Sequence, residues 1–394
     1  MEITISKNKI GTDLNLSFNG SKWRWVDEPD SKSLLWGFDS PRDIMGASLA
    51  IREDIPDILS TPWGKAHMLI SENVDGVPWR YCMPSERWEE FVKNLVDCLW
   101  YVFSDESNSY YVDTYIRNRE LLETLQEPHI DIAKVNLLID KLDNGLKANI
   151  KKFLPEKGCK SPKSHYSLTN TVTGRMTITK GPNILTLSKS HRSIIKSRYK
   201  GGHIVEIDIQ SAEPRVALSL IGRKIEGDIY LDILDSIGID ITRDVAKIAT
   251  LSALYGASHH SLKSMLPKTI RSQVVLEAVR EYFGVRMLER VVNEDHENHG
   301  MIFNTHGRKI FSRVPSVNHL IQSSTVDVSF DIFSLFVKKI ESESIEFTPV
   351  YMIHDAIILD IPKESYLKIS KIVKDKFLSH KIKTEFVLKM KEIK

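Results

Sequence analysis

One stretch constrains the fold more than any other, because it changes from a strand pattern to a helix pattern within a few residues. It runs from His203 to Leu220 and reads HIVEIDIQSAEPRVALSL. Its first half is apolar and β-branched, which predicts a buried strand. Pro214 is compatible with a helix only in the first turn, so a helix begins nearby. Asp208 therefore lies where a strand ends, either as a simple helix cap or as a functional carboxylate that needs a cation or donors.

A second acidic residue is predicted at the tip of another apolar element. In the sequence YMIHDAIIL, residues 351–359, apolar side chains flank the pair His354-Asp355. This pattern predicts a strand, a tight turn and a returning strand. Asp355 would then lie in the turn.

A third segment predicts a helix with a cationic stripe. Four residues recur every four positions and therefore share one helical face: Arg243, Lys247, Leu251 and Tyr255. Thr242 is a suitable N-cap, and Gly256 is a suitable stop.

Together these segments resemble the three signature motifs of family A DNA polymerases, the DNA polymerase I type. The matching patterns are Asp208-x4-Glu213-x-Arg215, Arg243-x3-Lys247-x7-Tyr255-Gly256 and His354-Asp355. Thr173-Gly174-Arg175 and Asn318-x3-Gln322 also match, in the order that the family shows. Each motif is short and weak alone, and the joint order over residues 165–394 carries the resemblance.

The resemblance implies an α+β fold of the right-hand polymerase type. This fold has an antiparallel-sheet palm, helical fingers and a short helical thumb, here with a small N-terminal α/β domain. The expected boundaries are 1–112 for the N-terminal domain, 113–160 for a short thumb-like helical pair, 161–241 for the first part of the palm, 242–300 for the fingers, and 301–394 for the second part of the palm. Within these, the residue patterns predict helices over 115–126, 132–153, 316–340 and 363–378, mostly helical structure over 257–300 with breaks near Pro267 and Gly284, and a last strand over 385–390.

The first 112 residues differ in composition from the rest. All seven tryptophans lie there, and short strands are predicted over 2–5 and 14–18, with a helix over 88–103. No Asp-x-Glu arrangement of the kind that a proofreading exonuclease needs is found, so the resemblance is to a compact form without that domain. A structural or partner-binding module is expected, which could contact replication proteins. Its tryptophans would pack in a core or stack on bases.

Positive charge is concentrated in one region, although the whole chain carries a net charge of only +2. Residues 147–200 contain thirteen Lys or Arg and one acidic residue, Glu156. Such a stripe is either a solvated basic face or a surface that contacts nucleic-acid phosphates, and the embedded Thr-Gly-Arg favours the second.

Cysteine usage and hydropathy indicate the setting of the protein. The three cysteines are widely spaced, which fits a reducing, cytoplasmic environment. The sequence does not separate a cellular origin from a phage or plasmid origin. No signal peptide is found at the N-terminus. No stretch of about 20 apolar residues suggests a membrane span.

The chemistry that the resemblance implies needs two carboxylates close together. Nucleotidyl transfer uses two Mg²⁺ ions about 3.5–4 Å apart, which prefer rigid oxygen ligands, and Mn²⁺ can substitute. Asp208 and Asp355, on separate strand ends of one sheet, would bind both ions and form the catalytic centre. The partners would be primer-template DNA and dNTPs.

Two further groups of residues receive roles from the resemblance. The nucleotide-binding group would contact the β- and γ-phosphates through two cations, and the sugar and nascent base pair through the others: Arg243, Lys247, Leu251, Tyr255 and Glu213. Glu213 would lie under the sugar and exclude a 2′-hydroxyl. The nucleic-acid-binding group would contact the primer and template: Arg175, Arg308, Asn318, Gln322 and His354.

Three positions depart from the family pattern. Ala356 stands where a Glu usually follows His-Asp, which removes one carboxylate from the metal neighbourhood. Leu251 stands where an aromatic residue commonly contacts the incoming sugar. After Asn183 the sequence Ile184-Leu185-Thr186 lacks the two side-chain amides of the family.

The sequence therefore predicts a magnesium-dependent, template-directed DNA polymerase without proofreading. Three alternatives stay open. A related single-subunit RNA polymerase or primer-synthesising enzyme is disfavoured by Glu213. A metal-dependent nuclease would have no use for the pair Arg243 and Lys247. An inactive nucleic-acid-binding protein is kept open by Ala356.

Overall fold

The computed structural model describes residues 3–5, 7, 13–18, 23–28, 34–36, 62, 66, 84, 86, 106–142, 144–155, 161–224 and 226–393. The helix predicted over 88–103 lies outside these described residues. The chain divides into two compact units, which are treated separately below. The first contains Met1–Arg117, Ser167–Asn170 and Gly307–Lys309, and the second contains the remainder.

The first unit contains a four-stranded sheet with the strand order β3-β2-β1-β4. Its strands are β1 (Ile3–Ile5), β2 (Asn15–Phe18), β3 (Trp23–Val26) and β4 (Leu34–Trp36). β1 pairs antiparallel with β2 and parallel with β4. The two strands predicted from alternation are thereby confirmed. Trp25 is 42% exposed. This tryptophan therefore does not pack in a core, which was one of the two roles expected for the tryptophans.

The remaining strands form one larger sheet and two short pairs. They are β5 (His165–Ser167), β6 (Thr177–Lys180), β7 (His203–Ile209), β8 (Ile302–Phe303), β9 (Lys309–Ile310), β10 (Thr348–Ile353), β11 (Ala356–Ile361), β12 (Lys376–Ser379) and β13 (Thr384–Glu392). The large sheet has the order β10-β11-β7-β13-β12, and every neighbouring pair is antiparallel. This is the α+β class with an antiparallel sheet that the sequence predicted.

β7 lies in the centre of this sheet, because its residues are suited to burial on both faces. Its apolar residues Ile204, Val205, Ile207 and Ile209 are almost fully buried. Central strands without a solvent face are typically such continuous apolar, β-branched runs. The first motif is therefore held by hydrogen bonds from both neighbouring strands.

From residue 106 onward the described part of the chain contains eleven α-helices and two short 3-10 helices, Ile184–Thr186 and Lys189–Ile194. The α-helices are α1 (Glu106–Glu123), α2 (Ile132–Ile139), α3 (Asn144–Lys151), α4 (Ala212–Leu220), α5 (Ile229–Ile237), α6 (Arg243–Leu254), α7 (His260–Lys263), α8 (Ser272–Tyr282), α9 (Val285–His299), α10 (Val317–Ser342) and α11 (Ser365–Ile372). Helices α4 to α10 share one apolar core. The breaks predicted near Pro267 and Gly284 separate α7, α8 and α9 as expected.

The long helix α10 closely matches the helix predicted over 316–340. Among the described residues it is the one helix that is long and apolar enough to cross a membrane, although no such stretch was expected. In its most apolar window 72% of the helix is buried inside the protein. That burial is typical of a core helix, and α10 packs against α4 and β12.

The single helix predicted over 132–153 is wrong, because the chain forms two helices there. α2 ends with Asp140 as its C-cap, and α3 begins at Asn144. Asp and Asn favour caps and turns over helix interiors, and two Asp residues lie between the apolar halves of the predicted stripe. The turn lets Val135 of α2 and Ile150 of α3 pack in the same core.

The helix predicted over 363–378 is also too long. Helix α11 ends at Ile372, and residues 376–379 form strand β12, which pairs with β13. Burial alternates along β12, so Phe377 reaches the core, where its ring lies 5.8 Å from that of Phe336. The alternation of buried and exposed side chains, which suits a strand, therefore prevails over the pattern that predicted a helix as far as residue 378.

A buried carboxylate at the far end of the sheet predicts a measurable stability effect. Asp360 of β11 is 1% exposed and accepts hydrogen bonds from the Ser197 hydroxyl (2.5 Å), the Arg198 amide (2.9 Å) and the Arg198 Nε (3.1 Å). Replacing Asp360 by Asn removes a charge-assisted acceptor, so the free energy of unfolding should fall by about 2 kcal/mol. The exposed control Asp375→Asn should change it by less than about 0.5 kcal/mol. Equal values for both variants in urea titrations would contradict this prediction.

Candidate active site

Two acidic residues converge at one end of the large sheet. Asp208 lies near the end of β7, and Asp355 lies in the two-residue turn between β10 and β11. Ala356, directly after Asp355, pairs with Asp208 across the strands. The amide of Ile209 donates to the carbonyl of Asp355 at 3.0 Å, which fixes the turn against β7. The register therefore places the two residues close together, and the charge of Asp355 acts on the Asp208 carboxylate.

The turn holds its first residue in an uncommon backbone conformation. His354 has φ of 53°, in the left-handed region, and Ser211, between β7 and α4, has φ of 52°. Non-glycine residues adopt this region at a cost, and such residues are concentrated at functional sites. Both of these residues lie within a few positions of the acidic pair.

The electrostatic environment disfavours two negative charges at this place. The pKa of Asp208 is raised to about 6, first by burial and then by the charge of Asp355, although Lys189 and Lys247 oppose the shift. The pKa of Asp355 is also raised, mainly by burial and further by the charge of Glu213. A divalent cation would remove both costs, because it neutralises the paired carboxylates.

The acidic pair fits magnesium better than a metal that needs a closed protein cage. Within the described ranges, no group of three or more His, Cys, Asp or Glu side chains is arranged to hold a metal ion. Mg²⁺ often uses one or two carboxylates together with water and phosphate oxygens. Two carboxylates whose negative charge is disfavoured meet that requirement.

Glu213 links two other residues of the predicted site. In the first turn of α4, it accepts a hydrogen bond from Arg175 Nη2 at 2.7 Å and another from the Tyr255 hydroxyl. The pKa of Tyr255 is raised to about 12, first by burial and then by Glu213. Arg175, Glu213 and Tyr255 come from three distant parts of the sequence, and the structure brings them together as one cluster.

Helix α6, which carries the predicted cationic stripe, is capped at its N-terminus. The Thr242 side chain accepts from the Val245 amide at 3.3 Å, and Gly256, with φ of 68°, ends the helix after Tyr255. Both ends agree with the sequence prediction. The positive charge of Lys247 lies near enough to Asp208 to favour its charged form. Leu251 lies one turn beyond it and is half-buried.

His354 lies among opposing charges. Its pKa is lowered, first by burial and then by the positive charge of Arg175, while Asp355 opposes the shift. A neutral imidazole is therefore favoured beside the acidic pair. The charges of Arg175 and Glu213 both act on His354, so the Glu213 cluster lies near the turn.

The other three residues predicted to bind nucleic acid are Asn318, Gln322 and Arg308. Asn318 and Gln322 are half-buried and lie one turn apart on α10, and the Asn318 Oδ1 is buried without a hydrogen-bond partner among the described residues. Arg308 belongs to the first unit, where it is buried and donates to the Tyr111 hydroxyl at 2.6 Å. Their predicted contacts with nucleic acid stay predictions.

Glu206 is a site residue that the sequence analysis did not identify. It is buried two positions before Asp208 and accepts from Lys189 at 3.1 Å and from buried Arg192. Alternation along a strand places residues 206 and 208 on the same face, and this spacing could have identified Glu206. No comparable pattern marks Lys189 or Arg192 within the basic region.

Comparison with known proteins supports the fold. No protein-family model and no curated protein matches the chain. Among solved structures, the chain is similar to the POL domain of Pol1 from M. smegmatis in complex with DNA primer-template and dNTP, with a TM-score of 0.56 and 13% sequence identity. The match covers 91% of this chain and 82% of that chain. The protein is thus a mixed helix-and-sheet chain that resembles a DNA polymerase domain.

The burial of two negative charges at Asp208 and Asp355 is unfavourable, which predicts that divalent cations stabilise the folded protein. Saturating Mg²⁺ or Mn²⁺ should raise the free energy of unfolding by about 1–3 kcal/mol, because the ion binds the folded state alone. Asp208→Asn and Asp355→Asn should lose this increase. In EDTA at neutral pH, Asp208→Asn should be more stable than the unaltered protein, since the neutral amide removes a disfavoured buried charge.

Denaturant titrations with and without the cation measure this effect. Asp375→Asn, an exposed carboxylate outside the site, is the control and should keep the full stabilisation. If the Asp208 and Asp355 variants are stabilised as strongly as this control, the acidic pair does not bind the cation.

Proposed function

We propose that the protein is a template-directed DNA polymerase that adds dNTPs to a primer 3′ end. One observation carries the proposal: strand pairing brings Asp208 and Asp355 together, with the charge of Lys247 acting on Asp208, in a fold similar to that of a polymerase domain. That domain was solved with DNA primer-template and dNTP. The expected palm, fingers and thumb belong to this proposal.

The residues that would hold the metal ions are Asp208 and Asp355. Two bound Mg²⁺ ions, or Mn²⁺ in their place, would supply activation of the primer hydroxyl and charge stabilisation of the leaving pyrophosphate. The raised pKa of both carboxylates supports this role, because a cation relieves the burial and repulsion that raise them. The protein contributes rigid placement, since the hairpin turn and β7 are hydrogen-bonded together.

Helix α6 would supply the cations for the triphosphate. Arg243 and Lys247 lie one turn apart at its start, and their donors suit the β- and γ-phosphates. The charge of Lys247 already acts on Asp208, so a phosphate held by this residue would lie near the acidic pair. Leu251 and Tyr255 continue the stripe toward the sugar and the nascent base pair.

Glu213 would select deoxynucleotides. Its carboxylate accepts hydrogen bonds from Arg175 and Tyr255, which would hold it in place beneath the sugar. A ribose 2′-hydroxyl would meet this carboxylate, whereas a deoxyribose would not. Arg175 and His354 would contact the primer end, with Asn318, Gln322 and Arg308 as further nucleic-acid contacts. Replication proteins acting through the N-terminal region remain part of the proposal.

Loss of either metal-binding carboxylate should abolish catalysis. Asp208→Asn and Asp355→Asn are each expected to reduce primer extension by about a thousandfold or more, since several kcal/mol of transition-state stabilisation depend on the ions. Binding of primer-template DNA should persist, because the basic surface is unchanged. Full extension activity in both variants would contradict the proposal, and Asp375→Asn serves as the active control.

The Glu213 role predicts a change in sugar selectivity. Glu213→Ala should raise the efficiency of rNTP use relative to dNTP use by about tenfold or more, because the carboxylate beneath the sugar is removed. Single-nucleotide extension with matched dNTP and rNTP measures the ratio. An unchanged ratio would show that Glu213 is not the sugar gate, and a preference of the unaltered protein for rNTPs would favour an RNA polymerase.

A further inference from the structure

Arg243, the first cation of the α6 stripe, already has an anionic partner. Its Nε and Nη2 donate to the Oδ2 of Asp228 at 2.9 and 2.6 Å. The guanidinium also lies 5.0 Å from the ring centroid of Tyr230. The two hydrogen bonds occupy the N–H donors that would bind a polyphosphate, since Arg recognises phosphate through the same donors, whereas the Tyr230 ring lies against the face of the guanidinium.

Asp228 is itself held in place by helix α5. It is the N-cap residue, and its Oδ1 accepts from the Tyr230 amide at 2.9 Å. One oxygen therefore caps the helix while the other binds Arg243. Burial alone would raise the pKa of Asp228, but the hydrogen bonds from Arg243 and Tyr230 lower it overall, so the ionised form persists.

The ion pair is exposed enough to be exchanged. The side chains of Arg243 and Asp228 are 47% and 32% exposed. Ion pairs of this kind contribute little net free energy, because water solvates both partners when they separate. A ligand with several negative oxygens can therefore replace one carboxylate oxygen at Arg243.

We propose that Asp228 is a positioning residue of the nucleotide site, which engages Arg243 in a competing ion pair and so weakens the binding of both triphosphate and pyrophosphate. This inference rests on the proposed function, in which Arg243 contacts the β- and γ-phosphates. The triphosphate breaks the pair when it binds. After transfer, Asp228 recaptures Arg243 as the pyrophosphate departs.

The proposed competition predicts the direction in which phosphate binding changes when the Asp228 charge is removed. If the ion pair must break before phosphate binds, removing the Asp228 charge strengthens binding. If Asp228 instead supported Arg243 in the bound state, the same change would weaken it. The substitution Asp228→Asn suits this test, because Asn caps a helix as well as Asp does. Asp228→Ser, also a good cap, should reproduce the result.

The experiment measures dissociation constants of the full chain for a dNTP and for inorganic pyrophosphate, both with Mg²⁺. Asp228→Asn should lower both constants by about threefold, the same factor for each, because the same exposed ion pair is lost. In primer extension it should lower KM for the dNTP and leave kcat within about twofold. A KM change without a kcat change is not what a general loss of folding would produce.

Asp244→Asn is the matched control. Asp244 is the exposed neighbour of Arg243 in the first turn of α6, and its neutralisation removes the same charge without touching the ion pair. Its effect on both constants should be clearly smaller than that of Asp228→Asn. In the background of Arg243→Gln, Asp228→Asn should give no further gain beyond this control, since the pair is already absent.

Unchanged or weaker binding by Asp228→Asn would overturn the inference, as would an equal gain in the Arg243→Gln background. These results leave the proposed function standing if the unaltered protein extends primers. Conversely, an Arg243-dependent gain in pyrophosphate binding supports the inference even where primer extension fails. Absence of any triphosphate or pyrophosphate binding would overturn both.

Discussion

The pairing of β7 with β11 is the constraint on which the proposed site depends. It places Ala356 opposite Asp208, so the turn residue Asp355 lies beside Asp208 although 147 positions separate them along the chain (355 − 208). A shift of one residue would turn Asp208 to the opposite face of the sheet. The apolar residues of both strands fix the register by their burial, and they thereby force two carboxylates into a shared, partly buried place.

Other segments of the second unit place positive charge near the two carboxylates that this pairing brings together. Lys247 from α6 and Lys189 from the basic region both oppose the raised pKa of Asp208. Arg175 holds Glu213 and lowers the pKa of His354. Positive charge from several segments therefore surrounds the acidic pair. In the proposed function, this positive charge would bind the phosphates of the nucleotide beside the metal-binding carboxylates.

Much of this arrangement followed from the sequence, because local patterns and chemistry coincided. The strand before Asp208, the turn at Asp355 and the capped helix at Arg243 each had a distinct periodicity. Sequence patterns failed where a tertiary contact decided the outcome. Residues 376–379 became a strand because β13 offered a partner and Phe377 a core position. The ion pair of Arg243 with Asp228 has no sequence pattern, since fifteen residues separate its members and only the packed start of α5 aligns them.

The most direct test of the central claim is a crystal structure of the protein with primer-template DNA, a dNTP and Mn²⁺, with the metal located by anomalous scattering. The account predicts two manganese peaks about 3.5–4 Å apart, both coordinated by carboxylate oxygens of Asp208 and Asp355. Manganese bound elsewhere, with these carboxylates sharing no ion, would contradict it.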